Sequence, residues 1–320
     1  MRILIIGAGA IGGYFGGRLL QAGRDVTFLV RERRAAELAG AGLVVRSPCG
    51  DLTLRDPPHV LAKDIDQTFD LILLSCKAYD LPDAMASFAP AVGEQSMILP
   101  LLNGMRHLET LAQRFGRSRV LGGQCVTSAT LGEDRAVLHL NNMHRLSFGE
   151  LDGADSQRMR NLADVLGGAG FEALPSRLIV QDMWEKWVFL ATLAAVSCVM
   201  RATLGDVLKA PGGEAFILSM FDECRGIAEG AGHAPRAAFL DQARSTLSTP
   251  ASPLAASMLR DVQADAAIEA DQILGDLLHR REAQGSAAPR LSAAYTHLKA
   301  YEARRERMRQ AASQPTSSAR

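Results

Sequence analysis

Three glycines, a cluster of arginines and two lysines carry most of the chemistry legible in this chain. Gly7, Gly9 and Gly12 form G-x-G-x-x-G directly after the apolar run Ile3–Ile6 and at the start of a stretch with helical spacing. In that setting the first glycine permits a tight turn, the second lets a pyrophosphate approach the backbone, and the third allows a helix to pack against its strand. The N-terminus of the helix adds unpaired N–H groups and the positive end of its dipole. Gly7, Gly9, Ala10, Ile11 and Gly12 are therefore expected to cradle a dinucleotide. Arg31 lies 19 residues beyond Gly12. An acidic side chain there suits a free ribose 2′-hydroxyl, and an arginine suits a 2′-phosphate. Arg33 and Arg34 add positive charge, so the expected cofactor is NADP(H). Glu32 keeps NAD open, because a one-residue shift would make it the ribose ligand.

Only five of the 35 basic residues are lysines. Lys77 and Asn103 each follow an expected parallel strand, at the edge where open α/β sheets bind ligands. Either could also be plain: a surface lysine closing a strand, or an Asn-Gly turn residue. Lys186 shares a helix face with Leu190, Leu193 and Ala194. A lysine heading such a stripe is partly desolvated, which depresses its pKa and suits it to act as an acid, unless it snorkels to water. Ser257, Asp261, Asp265 and Glu269 follow a spacing of four on an expected helix, a pattern that equally describes a solvated face.

These groups need a frame. Strands are expected at Ile3–Ile6, Val26–Val30, Leu43–Arg46, Leu71–Cys76, Met97–Leu101 and Val120–Ala129. A hairpin of Ala136–His139 with Arg145–Phe148 would extend the same sheet. Helices at Tyr14–Ala22, Leu81–Ala89 and Leu108–Gln113 fill the crossovers, giving an α/β doubly wound domain. Beyond about Ile179 only helices are expected: Ile179–Arg201, Glu214–Ala231, Ser252–Gln284 with Ser252-Pro253 as its start, and Leu291–Arg309. Gly285 would stop the third of these. The expected domains are residues 1–176 for the nucleotide and 177–310 for substrate and catalysis, with a polar, disordered tail over 311–320.

A length of 320 residues with 48% hydrophobic and 22% charged residues fits a two-domain globular protein. A formal net charge of zero speaks against nucleic acid or an acidic membrane as partner. Five scattered cysteines show no ligand spacing; Cys76, Cys125 and Cys198 sit in apolar or small-residue surroundings and are expected as buried free thiols. No metal site, signal peptide or transmembrane helix is expected, which reads as cytoplasmic. The long apolar faces of the helical part are compatible with a homodimer.

Taken together, the order and spacing of these motifs resemble the ketopantoate reductase (2-dehydropantoate 2-reductase) family, from Met1 to about Glu302. The turn and Arg31 stand where that family has them. Leu73-Leu74-Ser75-Cys76-Lys77-Ala78-Tyr79 resembles its strand ending in Lys-Ala-aromatic, whose lysine lies near the cofactor. Leu102-Asn103-Gly104-Met105 resembles the element whose Asn contacts the nicotinamide side and the substrate. Trp184-Glu185-Lys186-Trp187 resembles the Trp-x-Lys element with the catalytic lysine. Ser257-Met258-Leu259-Arg260-Asp261, with Ile268-Glu269-Ala270-Asp271, resembles the substrate-binding stretch, and Gly285, Pro289, Leu298 and Glu302 resemble the family's ending. Glu150 matches a recurring segment, where a structural role is expected.

The resemblance implies a Rossmann-type domain followed by an all-helical domain of the 6-phosphogluconate-dehydrogenase type. It implies NADPH-dependent reduction of a 2-oxo acid, 2-dehydropantoate above others. Lys186 and Asn103 would be catalytic, Ser257, Glu269 and Asn103 would bind substrate, and Arg31, Lys77 and Asn103 would complete the cofactor site. Two departures bear on the substrate: Leu190 and Ala194 stand where the family usually carries Asn, and Ile268 replaces a Thr. A site without such polar groups recognises a hydroxylated keto acid less well. A more apolar 2-oxo acid or ketone is the first alternative. A non-enzymatic nicotinamide sensor is the second, disfavoured because a sensor needs the glycines but no proton donor. An NAD-linked hydroxy-acid or opine dehydrogenase is the third, disfavoured by Arg31 and the stretch from Ser257 to Glu269.

Overall fold

The computed structural model describes residues 1–282 and 287–313. The stop expected at Gly285 and the tail beyond residue 313 lie outside the described residues. The chain divides into two compact units, Met1–Met183 and Trp184–Arg320.

The first unit is built on β1 (Ile3–Ile6), an apolar run with all four residues buried. Helix α1 (Ala10–Gln21) follows the glycine turn and β2 (Val26–Leu29) completes the unit. After α2 (Glu32–Ala41), three short strands follow: β3 (Leu43–Arg46), β4 (Leu52–Leu54) and β5 (His59–Val60). Next come β6 (Phe69–Leu74), α3 (Leu81–Phe88), β7 (Val92–Pro100) and α4 (Arg106–Phe115). One five-stranded sheet has the order β5-β2-β1-β6-β7. Every pairing in it is parallel, and its central strand β1 is buried throughout, as in sheets covered on both faces. The chain steps outward from β1 to β2 and β5, then returns to the other side of β1 at β6. That reversal opens a crevice beside β1 at the C-terminal edge.

A second sheet corrects the expected hairpin. The stretch around residues 136–148 is one long strand, β9 (Val137–Glu150), antiparallel to β8 (Leu121–Leu131). The pairing steps from Thr127 opposite His144 to Ala129 opposite His139, so the polar residues 140–143 bulge out of the ladder within β9 instead of forming the turn of a separate hairpin. This sheet is separate, of order β10-β9-β3-β4, with β10 (Glu172–Pro175) following α5 (Gln157–Leu166). It therefore also takes Leu43–Arg46 out of the parallel sheet. A single bridge, Ile98 to Val120, joins the start of the β8 region to β7.

The second sheet meets α1 through a polar cluster. The Tyr14 hydroxyl lies 2.7 Å from His144 Nδ1, and Ser47 Oγ lies 2.8 Å from His139 Nδ1. His139 Nε2 lies 2.9 Å from the Met143 carbonyl, which assigns the ring proton to Nε2. Burial, together with the neighbouring His139 and the positive Arg18, holds the His144 pKa below its ordinary value, against an opposing pull from Glu172. The folded protein then binds fewer protons here than the unfolded chain, so stability is full above about pH 6.5 and falls on acidification below it. His144→Asn keeps an acceptor for Tyr14 without the titration. It should flatten the decline of melting temperature below about pH 6.5; an unaltered slope would remove His144 as a cause.

The second unit is all-helical among the described residues. Helix α6 (Ile179–Met200) begins in the first unit and continues through the second. It is long and apolar enough to cross a membrane by composition, yet 72% of its most apolar window is buried within the protein. Then come α7 (Leu204–Lys209), α8 (Gly213–Gly230), α9 (Ala237–Leu247), α10 (Ser257–Gln263), α11 (Asp276–Glu282) and α12 (Pro289–Ser313). The last helix overruns the tail expected from residue 311.

The single helix expected over Ser252–Gln284 is broken. Ser252 and Leu254 spend their carbonyls on the Gly205 and Leu204 N–H groups, so this stretch docks extended on α7 instead of capping a helix. At the far end of α10, Asp265 adopts a left-handed φ of 49°. Ala266 N–H donates to the Asp261 carbonyl at 2.8 Å and Asp265 N–H to Val262 at 3.3 Å. That is a Schellman stop with aspartate where glycine is usual, and it gives no obvious sequence signal. A π-helical stretch, Asp271–Gly275, then leads into α11. Ser257 and Asp261 thus share a helix, while Asp265 and Glu269 do not continue its face. Cysteines follow expectation in part: Cys125, Cys198 and Cys224 are buried free thiols, whereas Cys76 is only half-buried.

Candidate active site

At the end of β1 the three glycines take three different roles. Gly7 has a φ of +88°, a conformation that side chains strain to adopt. A Cβ on Gly9 would meet nothing within 4 Å, so the turn stands open there. A Cβ on Gly12 would lie 2.2 Å from the Gly7 carbonyl oxygen and 2.4 Å from Ser75 Oγ, so the helix is closed against the strand. Gly9 is the N-cap of α1 with no side-chain cap, and Gly9, Ala10 and Ile11 keep partial exposure amid buried neighbours. Open backbone at a helix N-terminus fits a dinucleotide pyrophosphate.

The neighbouring strand ends are tied to this turn. Ser75 Oγ donates to the Ile6 carbonyl at 3.0 Å, fixing the end of β6 against that of β1. Lys77 follows at once and precedes a 3₁₀ turn, Ala78–Asp80. Leu101 N–H donates to the Leu74 carbonyl at 2.8 Å, extending the β6–β7 ladder to Leu101, two residues before Asn103. Gly104, at φ +76°, then turns the chain. Arg31 lies just past β2 with its guanidinium 3.1 Å from Asp80 and largely exposed. Gly7, Gly9, Ala10, Ile11, Gly12, Arg31, Lys77 and Asn103 therefore line one edge of the parallel sheet.

The other basic groups near Arg31 behave differently from one another. Glu32 is exposed, 3.5 Å from Lys63. Arg33 is exposed and pairs with Glu37 at 3.1 Å, whereas Arg34 turns inward to Glu37 at 3.0 Å. Burial alone would raise the Glu37 carboxyl, but hydrogen bonds from Arg34, Arg135 and Arg33 outweigh it and hold its pKa at about 2.

In the second unit α6 organises the candidate groups. Lys186 is half-buried between firmly anchored neighbours. The Glu185 side chain is 5% exposed and accepts from the Arg236 backbone and guanidinium. Trp187 donates its indole N–H to the Ile273 carbonyl at 2.9 Å, and the Arg280 guanidinium lies 5.6 and 5.7 Å from the Trp184 and Trp187 rings. The indole bond ties the Lys186 turn to the π-helical stretch, which Glu269 enters through an Ile273 N–H to Glu269 carbonyl bond of 3.0 Å. Glu269 is only 8% exposed, which is not the burial of a solvated face. Further along the Lys186 face, Ser197 Oγ accepts from Ala256 N–H at 3.2 Å. Ser257, the next residue, thereby starts α10 beside the Ser197 turn of that helix. Ser257 is exposed and Leu190 half-buried, while Ala194 has no exposed surface. Of these two departures from the family's usual Asn, only Leu190 can therefore meet a substrate from solvent.

Glu150 accepts from Ser156 Oγ at 2.6 Å and pairs with Arg158, which also donates to the Ser118 carbonyl. These bonds are structural, as expected. The pairing of Arg34 with Arg135 through Glu37, and the Trp187 bond to Ile273, have no counterpart in the sequence reading. Their partners are 101 and 86 residues apart, and no local pattern announces them.

A parallel sheet of this order with a glycine turn at β1, followed by a helical second unit, is the architecture of a Rossmann-type domain joined to an all-helical one. Residues 3–153 match the family model described as ketopantoate reductase PanE/ApbA, and residues 178–302 match that of its C-terminal region. The chain is 33% identical over 303 residues to an oxidoreductase of Bacillus subtilis (strain 168) named YkpB and described as uncharacterized, covering 95% of this chain and 99% of that one. It is 26% identical over 225 residues to the 2-dehydropantoate 2-reductase of Streptococcus pyogenes serotype M1, covering 70% of this chain and 72% of that protein. The crystal structure of 2-dehydropantoate 2-reductase from Geobacter metallireducens GS-15 superposes with a TM-score of 0.86 at 28% identity, covering 93% of this chain and 99% of that one. The chain belongs to the ketopantoate reductase family and is an oxidoreductase of that family.

Proposed function

We propose that this oxidoreductase uses NADPH to reduce a 2-oxo acid to a 2-hydroxy acid, with 2-dehydropantoate as the first substrate to try. In this reading residues 1–176 hold the dinucleotide and residues 177–310 supply the substrate and proton-transfer groups. The observation that carries it is the Lys186 face of α6, which offers one half-buried cation between the Glu269 segment and the start of α10. Gly7, Gly9, Ala10, Ile11 and Gly12 hold the pyrophosphate, Arg31 takes the 2′-phosphate, and Lys77 and Asn103 flank the nicotinamide side. The bound NADPH supplies the hydride.

The chain's own residues do the rest. Lys186, as the ammonium, hydrogen-bonds the ketone oxygen and delivers a proton from Nζ as negative charge develops there. Asn103 orients the carbonyl, while Ser257 and Glu269 hold the carboxylate and hydroxyl ends of the substrate. Reducing conditions in the cytoplasm suit the free thiols.

Leu190 supports a second reading, in which the substrate carries an apolar group in place of the hydroxyl of ketopantoate. One assay separates the two: loss of reduced nicotinamide with ketopantoate and with branched or aromatic 2-oxo acids, each run with NADPH and NADH. Faster turnover of ketopantoate with NADPH is the expected result. Binding of NADPH without ketopantoate turnover would shift the assignment to the apolar series, and a preference for NADH would remove Arg31 from its role.

A further inference from the structure

We propose that Arg34 is a positioning residue for the phosphate-binding turn: it holds the Ala8 carbonyl so that the Gly9 N–H is aimed into the cradle, and Glu37 and Arg135 keep it there. The inference rests on reading that turn as a dinucleotide site. Arg34 differs from the arginines beside it, its side chain being 11% exposed against 76% for Arg31 and 84% for Arg33. It turns inward, and its Nε donates to the Ala8 carbonyl at 3.1 Å.

The consequence follows from peptide geometry. In the planar trans unit joining Ala8 to Gly9, the C=O and the N–H point in opposite directions. Fixing the carbonyl on Arg34 therefore fixes the Gly9 N–H on the opposite side of the peptide plane. Gly9, on one side of this peptide, has no Cβ to restrict its φ, so the peptide is less constrained than one between two substituted residues. An outside hold on the carbonyl is what selects one orientation.

Arg34 is itself held from two directions. Its Nη1 donates to Glu37 at 3.0 Å and lies 3.5 Å from the Arg135 carbonyl. Arg135 Nε donates to the same Glu37 oxygen at 3.1 Å. The carboxylate remains charged across the physiological range, because its arginine hydrogen bonds outweigh its desolvation. Arg135 presents its carbonyl from a left-handed backbone with φ 65°, an unfavourable conformation for a non-glycine residue. Arg34 Nη2 is buried without a hydrogen-bond partner. A strained residue and a buried donor left over both cost stability, so stability alone does not account for the arrangement. With Nε and Nη1 committed to protein oxygens, Arg34 serves the turn, and Arg31 remains the exposed cation for a 2′-phosphate.

The test compares wild type with Arg34→Lys, which keeps the charge but loses the fork, and with the milder Glu37→Gln. Two fragments are titrated: ADP-ribose, which carries the pyrophosphate, and adenosine 2′-monophosphate, which does not. The expected result is a weakening of ADP-ribose by about tenfold, the loss of one hydrogen bond to a charged group, with adenosine 2′-monophosphate unchanged. NADPH and NADH should weaken by the same factor. Weaker adenosine 2′-monophosphate, or a loss confined to NADPH, would mean that Arg34 reads the 2′-phosphate and would overturn the proposal. Unchanged ADP-ribose affinity in both variants would overturn it as well. Failure of the wild type to bind ADP-ribose would instead overturn the dinucleotide reading, and the proposal with it. Should Arg34→Lys not fold, Glu37→Gln carries the same comparison with a smaller expected loss.

Discussion

Lys186→Ala is expected to lower kcat by about a hundred- to ten-thousand-fold, the range over which a positioned general acid contributes. Dinucleotide binding should survive, because the phosphate turn and the strand-end residues belong to the other compact unit. The fold of the second unit should survive too. Lys186 is half-buried, while the turn around it is anchored by Glu185 on Arg236 and by Trp187 on Ile273. Turnover in single-turnover mode, with NADPH affinity measured alongside, separates the outcomes. A loss of kcat with unchanged affinity marks a proton donor; near-normal turnover would remove Lys186 from the mechanism. Arginine is a poor replacement, since it does not give up its proton near neutral pH.

The second large effect is expected at Gly12. A methyl group there would stand 2.2 Å from the Gly7 carbonyl oxygen, which is backbone and has no side-chain torsion to relieve it. Ile5 Cγ2, at 3.1 Å, closes the third side. Gly12→Ala must push α1 away from β1, and strain of that kind costs about 1–3 kcal/mol or more. For a chain of this size that corresponds to several degrees of melting temperature, at about 2–4 °C per kcal/mol. Displacing the helix also displaces the N–H groups that would meet the pyrophosphate, so dinucleotide affinity should fall with stability. Gly9→Ala provides the contrast. Nothing lies within 4 Å of the added carbon, so melting should stay close to wild type while affinity drops, because the methyl fills the space the phosphates need. If Gly9→Ala bound dinucleotide normally, the open side of the turn would not be the cradle. Equal melting temperatures for Gly12→Ala and wild type would show that the helix can move away without cost.

The first βαβ unit and the long helices are legible without the structure because their signals are local. Ile3–Ile6, the glycine spacing and Val26–Leu29 lie within thirty residues, and each element is specified by its own periodicity and turn chemistry. Helix α6 is equally plain, an uninterrupted helical pattern from Ile179 to Met200 without glycine or proline. Lys77 and Asn103 could be placed at strand ends because strands with apolar runs stop where the run stops. Other features arise only when distant segments meet. The second sheet takes Leu43–Arg46 from one part of the chain and Val137–Glu150 from another, and edge-to-edge pairing at that range leaves no mark in either segment. The helix expected across Ser252–Gln284 breaks because the backbone of Ser252 and Leu254 is claimed by α7 and because Asp265 takes a left-handed stop without a glycine. That break separates Glu269 from the face of Ser257, and the Trp187 indole then sets its segment against α6. The sequence by itself determined which groups are available: three glycines, Arg31, Lys77, Asn103, Lys186, Ser257 and Glu269. Only the tertiary structure decided how they are used, turning Arg34 inward to the Ala8 carbonyl, leaving Leu190 accessible and burying Ala194. Side-chain direction is set by packing partners far along the chain, and those partners are chosen by the fold as a whole.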